Sequence, residues 1–412
     1  MSNKILLQID ACRNCGSTGR INEQIGLLAE QNGWTSYIAH GSRYVNPSRL
    51  KSIQVVSKLE EYWHAVETKI FDNHGLSSRI ATRRFIKKIK EINPTIVHLH
   101  TIHGYYINYK ILFDYLSKAN IPVVWTLHDC WNFTGHCAYF DFHGCEKWKS
   151  MCYDCPARRN YPSSCFFDRS KKNYKLKKEY FTSVKSMTLV PVSNWLANLV
   201  NESFFKSYSN IRVQTIHNGV DINVFKPQLE SSNIRRRIGV TSTNFIAIAC
   251  ATEWSRRKGI NDYIQLSKQV SANTKLVLVG ISDELKHQLP NDIIAISRTE
   301  NVQELVSLYS LADVVLNLSY EETFGLTSVE GMACGTPTIV YNATASPELV
   351  TEQVGFIIEK GDIMGVKDAM DIIAYKGKIT YSSACRERAI SLFNKDNKFQ
   401  EYIDLYESII KR

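Results

Sequence analysis

Tyr320-Glu321-Glu322-Thr323-Phe324-Gly325-Leu326-Thr327-Ser328-Val329-Glu330-Gly331-Met332-Ala333-Cys334-Gly335-Thr336-Pro337 is the stretch on which the reading of the fold turns. A short β-rich apolar run, Asp313–Ser319, precedes it, and another, Pro337–Asn342, follows. The segment between opens into a helix that stops near Gly335, because glycine suits the residue just past a helix end. Strand, loop, helix and strand in that order make a βα unit, and such units pack around a parallel sheet.

Working outward, the same pattern recurs along the chain. In the first half the strand candidates are Lys4–Asp10, Ser36–Gly41, Thr95–His100, Val123–His128 and Met187–Ser193. After residue 240 it starts again with Asn244–Ala251, Lys275–Gly280, Asp292–Ser297, Asp313–Ser319, Pro337–Asn342 and Val354–Glu359. No 20–50-residue repeat accompanies it, which excludes a solenoid. The reading is α/β: two Rossmann-like, doubly wound domains facing a cleft, with ligands expected at the C-terminal ends of the strands. The expected divisions are an N-terminal domain over 1–210, with a cysteine-rich insertion at 130–165, and a C-terminal domain over 211–394. The boundary signal runs from Ile216-His217-Asn218-Gly219-Val220-Asp221 to Phe225-Lys226-Pro227, then through the polar run Glu230-Ser231-Ser232-Asn233. Asn-Gly and Lys-Pro break regular structure. Residues 395–412 form a terminal helix, with apolar Phe399, Tyr402, Ile403, Leu405, Tyr406 and Ile409 spaced three and four apart. That helix is expected to pack back on the N-terminal domain.

At 412 residues the chain is too long for one ordinary core and suits two domains. No apolar run reaches the ~18–20 residues of a membrane-spanning helix. The start lacks the layout of a signal peptide, so a cytoplasmic location is expected. The formal charge of +10 favours anionic partners. Two runs concentrate it, Arg83–Lys90 and Arg169–Lys178. Each reads either as a solvated helix face or as a peripheral contact with anionic lipid.

Three strand-end loops can carry chemistry. In the quoted stretch, Gly325 allows a close backbone approach, and the amides after it sit at the positive end of a helix dipole, which suits a diphosphate. Glu330, inside the helix, can accept two hydrogen bonds from a diol, and Glu322 can hold hydroxyls of a second ring. The bland alternative is a surface helix with two solvated glutamates. The second loop is Thr252-Glu253-Trp254-Ser255-Arg256-Arg257-Lys258-Gly259, either an anion clamp or a solvated turn. The third, beginning His128-Asp129-Cys130-Trp131, offers a histidine–aspartate pair: a catalytic dyad, a metal ligand or a packed strand-end histidine. After the first strand, Cys15-Gly16-Ser17-Thr18-Gly19-Arg20 is a glycine turn whose spacing alone says little.

The segment Glu322-Thr323-Phe324-Gly325-Leu326 followed by Val329-Glu330-Gly331-Met332-Ala333-Cys334-Gly335-Thr336-Pro337 resembles the Glu-x7-Glu signature of retaining, family-four-type (group 1) glycosyltransferases of GT-B fold. Further matches in the same order are Val192-Ser193-Asn194-Trp195-Leu196, Asn218-Gly219-Val220-Asp221 with Phe225 and Pro227, Ala312-Asp313, and the terminal helix. The resemblance implies that Glu322 contacts the donor sugar and Glu330 the ribose, with the diphosphate on the amides of Phe324, Gly325 and Leu326. It implies Lys258 as a diphosphate cation and His128 beside the donor sugar. Gly16 and Gly19 take the place of the family's flexible glycine loop. Where the family has an arginine six residues before the lysine, this chain has Thr252, and Arg257 or Arg256 is the available substitute.

Cys137-x7-Cys145-x6-Cys152-x2-Cys155 places four thiols in 19 residues, with Cys130, His136 and His143 nearby. Structural zinc, free buried thiols and an iron–sulfur or redox role all remain open. No cofactor beyond the donor is expected to be needed for catalysis. The expectation is therefore transfer of a sugar from a nucleoside diphosphate sugar to a hydroxyl of a glycan or lipid-linked oligosaccharide. The resemblance implies retention of configuration and a setting in capsule, exopolysaccharide or O-antigen assembly at the inner face of a membrane. Tyr105, Tyr106 and Trp131 are expected to set acceptor specificity. Two rivals stand beside it: a sugar-nucleotide epimerase of GT-B shape, and a zinc-organised nucleic-acid-binding module. The second lacks any helix-turn-helix, zinc-finger or RNA-binding pattern, so nucleic acid is not an expected partner.

Overall fold

The computed structural model describes residues 4–228 and 232–411. They form two units: one of residues up to His217 together with Phe399 onward, the other Asn218–Lys398. The polar run at 230–233 falls partly outside the described residues.

The first unit is built on a seven-stranded sheet: β1 (Lys4–Ile9), β2 (Trp34–His40), β3 (Lys51–Gln54), β4 (Ile96–Leu99), β5 (Val123–Leu127), β6 (Met187–Pro191) and β7 (Ile211–Val213). Its order is β3-β2-β1-β4-β5-β6-β7, and every neighbouring pair is parallel. The central strands β4, β5 and β6 are buried along their whole length, as a parallel sheet covered on both faces requires. The second unit carries β8 (Phe245–Cys250), β9 (Thr274–Val279), β10 (Ile293–Ile296), β11 (Val314–Asn317), β12 (Thr338–Tyr341) and β13 (Gly355–Ile358). They are again all parallel, in the order β10-β9-β8-β11-β12-β13. In each sheet the order of strand addition therefore reverses once, between β1 and β4 and between β8 and β11. In such sheets ligands bind outside the strand ends at that switch point.

All eleven sequence-expected strands are present. The two that were not expected, β3 and β7, are edge strands of four and three residues. Because β7 pairs with β6 through Met187, Thr188 and Leu189, the first unit runs on to His217, seven residues beyond the expected end at 210.

The helix Lys395–Ile410 supplies Phe399, Tyr402, Ile403, Leu405 and Tyr406 to the core of the first unit. They pack with Leu6, Ile25, Trp34, Ile96, Val124 and Val190 on one face of the sheet. The contact is polar as well as apolar. Tyr406 Oη lies 2.6 Å from His98 Nδ1, and the Thr126 hydroxyl donates to Tyr402 Oη over 3.0 Å. Among the described residues no helix is long and apolar enough to cross a membrane.

Candidate active site

In the second unit the chemistry gathers on the loops after β8 and β11. Beyond β8 the chain makes a single 3₁₀ turn, Arg256–Lys258, closed by Gly259 in the left-handed region at φ +74°. A Cβ at Gly259 would stand 2.1 Å from the Leu318 carbonyl oxygen, so only glycine lets this turn lie against the end of β11. That approach brings Lys258 Nζ onto Glu322 Oε1 as an ion pair, with the two side chains only 21% and 15% exposed. Ser319 Oγ donates to the same carboxylate oxygen over 3.1 Å. The Glu322 backbone is clamped too: its amide donates to Thr344 Oγ1, and its carbonyl accepts from the Thr344 hydroxyl, both at 2.8 Å. Burial alone would push the Glu322 carboxyl up. Lys258, then Arg257 and Ser319, outweigh it, and the group ends below the ordinary carboxylate range.

Arg257 points one guanidinium nitrogen at the Glu321 carbonyl, 2.8 Å away, while its own carbonyl accepts the Tyr320 amide. It braces the loop that presents Glu322. Thr252, where the resembling enzymes have an arginine, is exposed.

Helix Leu326–Ala333 begins directly after this loop, with Gly325 as its N-cap at φ +99°. A glycine cap has no side chain to cover the helix start, and a Cβ there would stand 3.1 Å from Leu349 Cδ1. The buried Phe324 ring meets Phe393 edge-on at 5.7 Å and anchors the turn from below. Glu330 lies one helical turn on. Tyr309 Oη donates to its Oε2 over 3.1 Å. Asn317, at the end of β11, donates to Ser328 Oγ and ties the helix to the strand. At the other end of this helix, Arg386 donates to the carbonyls of Ala333, Ile222 and Phe225.

In the first unit the strand ends carry a different set. His128 follows β5, with its Nε2 3.3 Å from His100 Nδ1; His100 in turn reaches Gln8 Oε1 at 3.1 Å. Burial pushes His128 down to about 4 and holds His98 and His100 well below the ordinary histidine range. At neutral pH these rings are uncharged. The Asp129 carboxylate takes His103 Nε2 at 2.8 Å and the Trp131 amide at 2.9 Å. Two expected acceptor-facing aromatics are core residues instead, Trp131 at 1% exposure and Tyr106 at 0%. Tyr105 is partly exposed. Gly16 opens the helix Gly16–Gln31 at φ +63°, and Gly19 lies buried in its first turn beside Cys12. Sequence reading missed Asp10, which directly follows β1, is fully buried, accepts from Asn22 Nδ2 at 2.5 Å, and is pushed up to about 7 by burial. A carboxylate directly after a first strand is a signal that could have marked it.

Cys137, Cys145, Cys152 and Cys155 line one small pocket together with Thr134, His136, Phe140, Lys147, Trp148 and Tyr153. Among the described residues no three His, Cys, Asp or Glu side chains stand in a ready-made coordination arrangement.

Comparison with known proteins agrees with this architecture. The family "Glycosyl transferases group 1" matches residues 232–389, and "Glycosyltransferase Family 4" matches residues 56–224. WcaC of Escherichia coli K12, named as a glycosyl transferase of colanic acid biosynthesis, is 23% identical over 325 residues, 77% of each chain. The capsular polysaccharide biosynthesis glycosyltransferase CapM of Staphylococcus aureus is 22% identical over 54% of this chain and 62% of its own. Among solved structures, Anabaena HepE in complex with UDP-glucose superposes with a TM-score of 0.67 at 16% identity, covering 98% of this chain and 99% of that one. The fold is GT-B, and the chain belongs to the group 1, family 4 glycosyltransferases.

Proposed function

We propose that the chain moves a sugar from a nucleoside diphosphate sugar to a hydroxyl of a glycan or lipid-linked oligosaccharide, with retention of configuration, during synthesis of a cell-surface polysaccharide. The observation that carries the donor reading is the convergence of Lys258, Glu322, the Gly325-capped helix start and Glu330 at the switch point of one sheet. Each part of a sugar nucleotide meets a complementary group there. The helix start and Lys258 take the diphosphate, Glu330 takes ribose hydroxyls, and Glu322 takes hydroxyls of the transferred sugar. HepE forms a complex with UDP-glucose, and WcaC and CapM are named for polysaccharide synthesis, which favours the same substrate class here.

Mechanistically, bond breaking leaves negative charge on the departing diphosphate. Lys258 and the amides of Gly325 and Leu326 stabilise that charge as it forms, and this is the main catalytic contribution. Pairing with Glu322 holds the lysine in place before the donor arrives. His128, neutral and buried among other histidines, can donate or accept a hydrogen bond without adding charge.

A membrane-borne acceptor fits the surface of the first unit. Helices Lys58–Phe71 and Arg79–Ile92 are joined by an ion pair between Arg84 and Glu60, and they expose Leu59, Tyr62, Trp63 and Ile80 beside Arg83, Lys87 and Lys88. Apolar side chains flanked by cations suit an anionic lipid surface.

The test is binding and slow hydrolysis across uridine and guanosine diphosphate sugars, for wild type, Glu330→Ala and Glu322→Ala, with and without vesicles of anionic phospholipid. One donor should bind and turn over, Glu330→Ala should abolish its binding, and vesicles should retain the protein at low salt. Absence of binding to every sugar nucleotide, or mutants that match wild type, would sink the donor assignment. Vesicles that never retain the protein would remove the membrane contact.

A further inference from the structure

Between β5 and the helix Ser170–Phe181 the chain runs for about 40 residues with no regular structure beyond three single 3₁₀ turns, Trp131–Phe133, Asp141–His143 and Lys147–Lys149. Connections longer than roughly 15 residues are uncommon in compact domains, and ordering each residue costs on the order of 1–2 kcal/mol. Part of the compensation is aromatic: Phe133, Phe140 and Trp148 are buried against one another, with centroids 4.9 to 6.3 Å apart. The thiols sit on this floor. Cys137 and Cys152 are 5% and 8% exposed, and Cys145 and Cys155 are partly exposed. None of the four is in a disulfide.

We propose that Cys137, Cys145, Cys152 and Cys155 bind one structural zinc ion that staples this segment. Four observations support it independently of the donor reading. All four thiols line the same pocket, whose free volume of about 10 Å³ approaches that of one water-sized sphere. They are mutual neighbours: Cys137 is hydrogen-bonded to Cys155 and close to Cys152, and Cys152 is close to both Cys145 and Cys155. Backbone amides are aimed at two of the sulfurs, Gly135 at Cys152 over 3.2 Å and Ala157 at Cys155. Such amides stabilise thiolate rather than thiol. Finally, a four-thiolate zinc centre carries two net negative charges, and two lysines lie close to the cluster, their ammonium groups bonded to the carbonyls of Tyr153, Asp154 and Trp131. Lys147 lines the pocket, and the fully buried Lys177 lies near Cys137 and Cys152.

The sulfurs are not in a finished tetrahedron, so binding draws them together. Zinc–sulfur bonds of ~2.3 Å set sulfur–sulfur spacings near ~3.8 Å, so the cysteine side chains have to rotate toward one another as the ion binds. Four S–H bonds are replaced by four S–Zn bonds, and the four protons pass to solvent. Tetrahedral thiolate sets suit zinc or iron–sulfur clusters, and a single ion-sized void favours the mononuclear metal.

The experiment is metal analysis of the full chain after exhaustive dialysis, for wild type, Cys145→Ser and Cys155→Ser, with the exposed Cys165→Ser as control. Wild type and the control should hold about one zinc per chain, and the two variants should lose most of it. Should the variants fail to fold, the wild type still answers. A strong chelator should release the zinc, expose about four additional thiols to titration and lower the melting temperature. Cobalt should then restore protection with the visible absorption of a tetrahedral thiolate site. Zinc far below stoichiometric after purification in its presence, stoichiometric iron, or thiols that titrate identically with and without chelator would overturn the proposal.

Discussion

The two sheets share one strand order, yet their strand ends carry opposite chemistry. In the second unit the switch point holds formal charges in contact, Lys258 on Glu322, with the carboxyl kept ionised against the pull of burial. In the first, beside the Asp129 carboxylate and its partner His103, a row of neutral rings runs from inside β4 to the end of β5, His98 tilted against His100 at 4.0 Å and His100 stacked on His128 at 5.6 Å, all driven below the ordinary histidine range by burial. The same topology supplies the address in both, and side-chain chemistry decides what each can hold. A preorganised ion pair suits a ligand that brings its own charge. A neutral polar wall suits uncharged hydroxyls, which need hydrogen bonds without competing countercharge.

The comparison breaks most directly at Lys258. Lys258→Ala removes the cation that stabilises the leaving group and strands a part-buried carboxylate. Turnover should fall by on the order of 10²–10³, as when one dominant transition-state donor is lost. His128→Ala removes a neutral hydrogen-bonding group and should cost about tenfold. Measuring kcat for both with the donor found above ranks the two units. Equal losses, or a larger loss at His128, would mean that charge placement is not what separates them.

Acid should separate the units by pH rather than by rate. A histidine held neutral in the fold binds protons less readily than its unfolded counterpart. As pH falls below about 6.5, the unfolded chain gains protons first, and stability drops by at most about 1.4 kcal/mol per pH unit for each such group until its folded value is reached. His128, at about 4, and His64, at about 3, therefore weaken the first unit between pH 6.5 and 4, and His98 and His100 act in the same direction. His136, raised despite burial by its hydrogen bond to Asp72, and Asp10, raised to about 7 by burial, oppose them, since their contributions are present in acid and lost as pH rises. Glu322 acts in the same direction as His128 but in a lower pH window. Its contribution holds above about 4.5 and is lost only as pH falls through its lowered folded value. Hydrogen exchange at pH 5.5 against 7.5, corrected for intrinsic rates, should show loss of protection in β4 and β5 while β8 and β11 stay protected. Parallel loss in both units would remove the electrostatic contrast.

How much of this was legible in the sequence follows from what each feature depends on. Central strands were legible because burial on both faces makes them continuous apolar runs, and β4 reads Ile-Val-His-Leu with one histidine inside it. Edge strands β3 and β7 were not, since Lys51-Ser52-Ile53-Gln54 and Ile211-Arg212-Val213 are half-exposed and too short to show a period. Glu322, Glu330 and Gly325 were legible because loop, cap and helix are local features. The partners that define them come from elsewhere in the chain: Thr344 on the Glu322 backbone, Tyr309 on Glu330, His103 on Asp129. Trp131 misled for the same reason. Next to a strand-end histidine it reads as a substrate platform, but Lys177 Nζ, 3.4 Å from its ring centroid and bonded to its carbonyl, holds it in the core.

The smallest effect sharpens the comparison from the terminal helix. Tyr406 Oη is the partner of His98 Nδ1, and His98 packs tilted against His100, so the row of neutral rings is fixed from behind by a residue more than 300 positions away in sequence. Tyr406→Phe keeps the ring and its edge-on contact with Trp34 at 5.7 Å, and removes only the hydroxyl. The buried imidazole then lacks one partner, which costs about 1–3 kcal/mol. For a unit of this size that lowers the melting temperature by roughly 2–4 °C per kcal/mol. Donor affinity should not change, because Lys258, Glu322 and Glu330 are untouched, whereas kcat should fall modestly if His128 depends on the stack for its position. Calorimetry and donor titration on the same protein distinguish these readings. A lower melting temperature with unchanged kcat would make the helix a stability element alone. A change in donor affinity would mean that the chemistry of the two units is not separable.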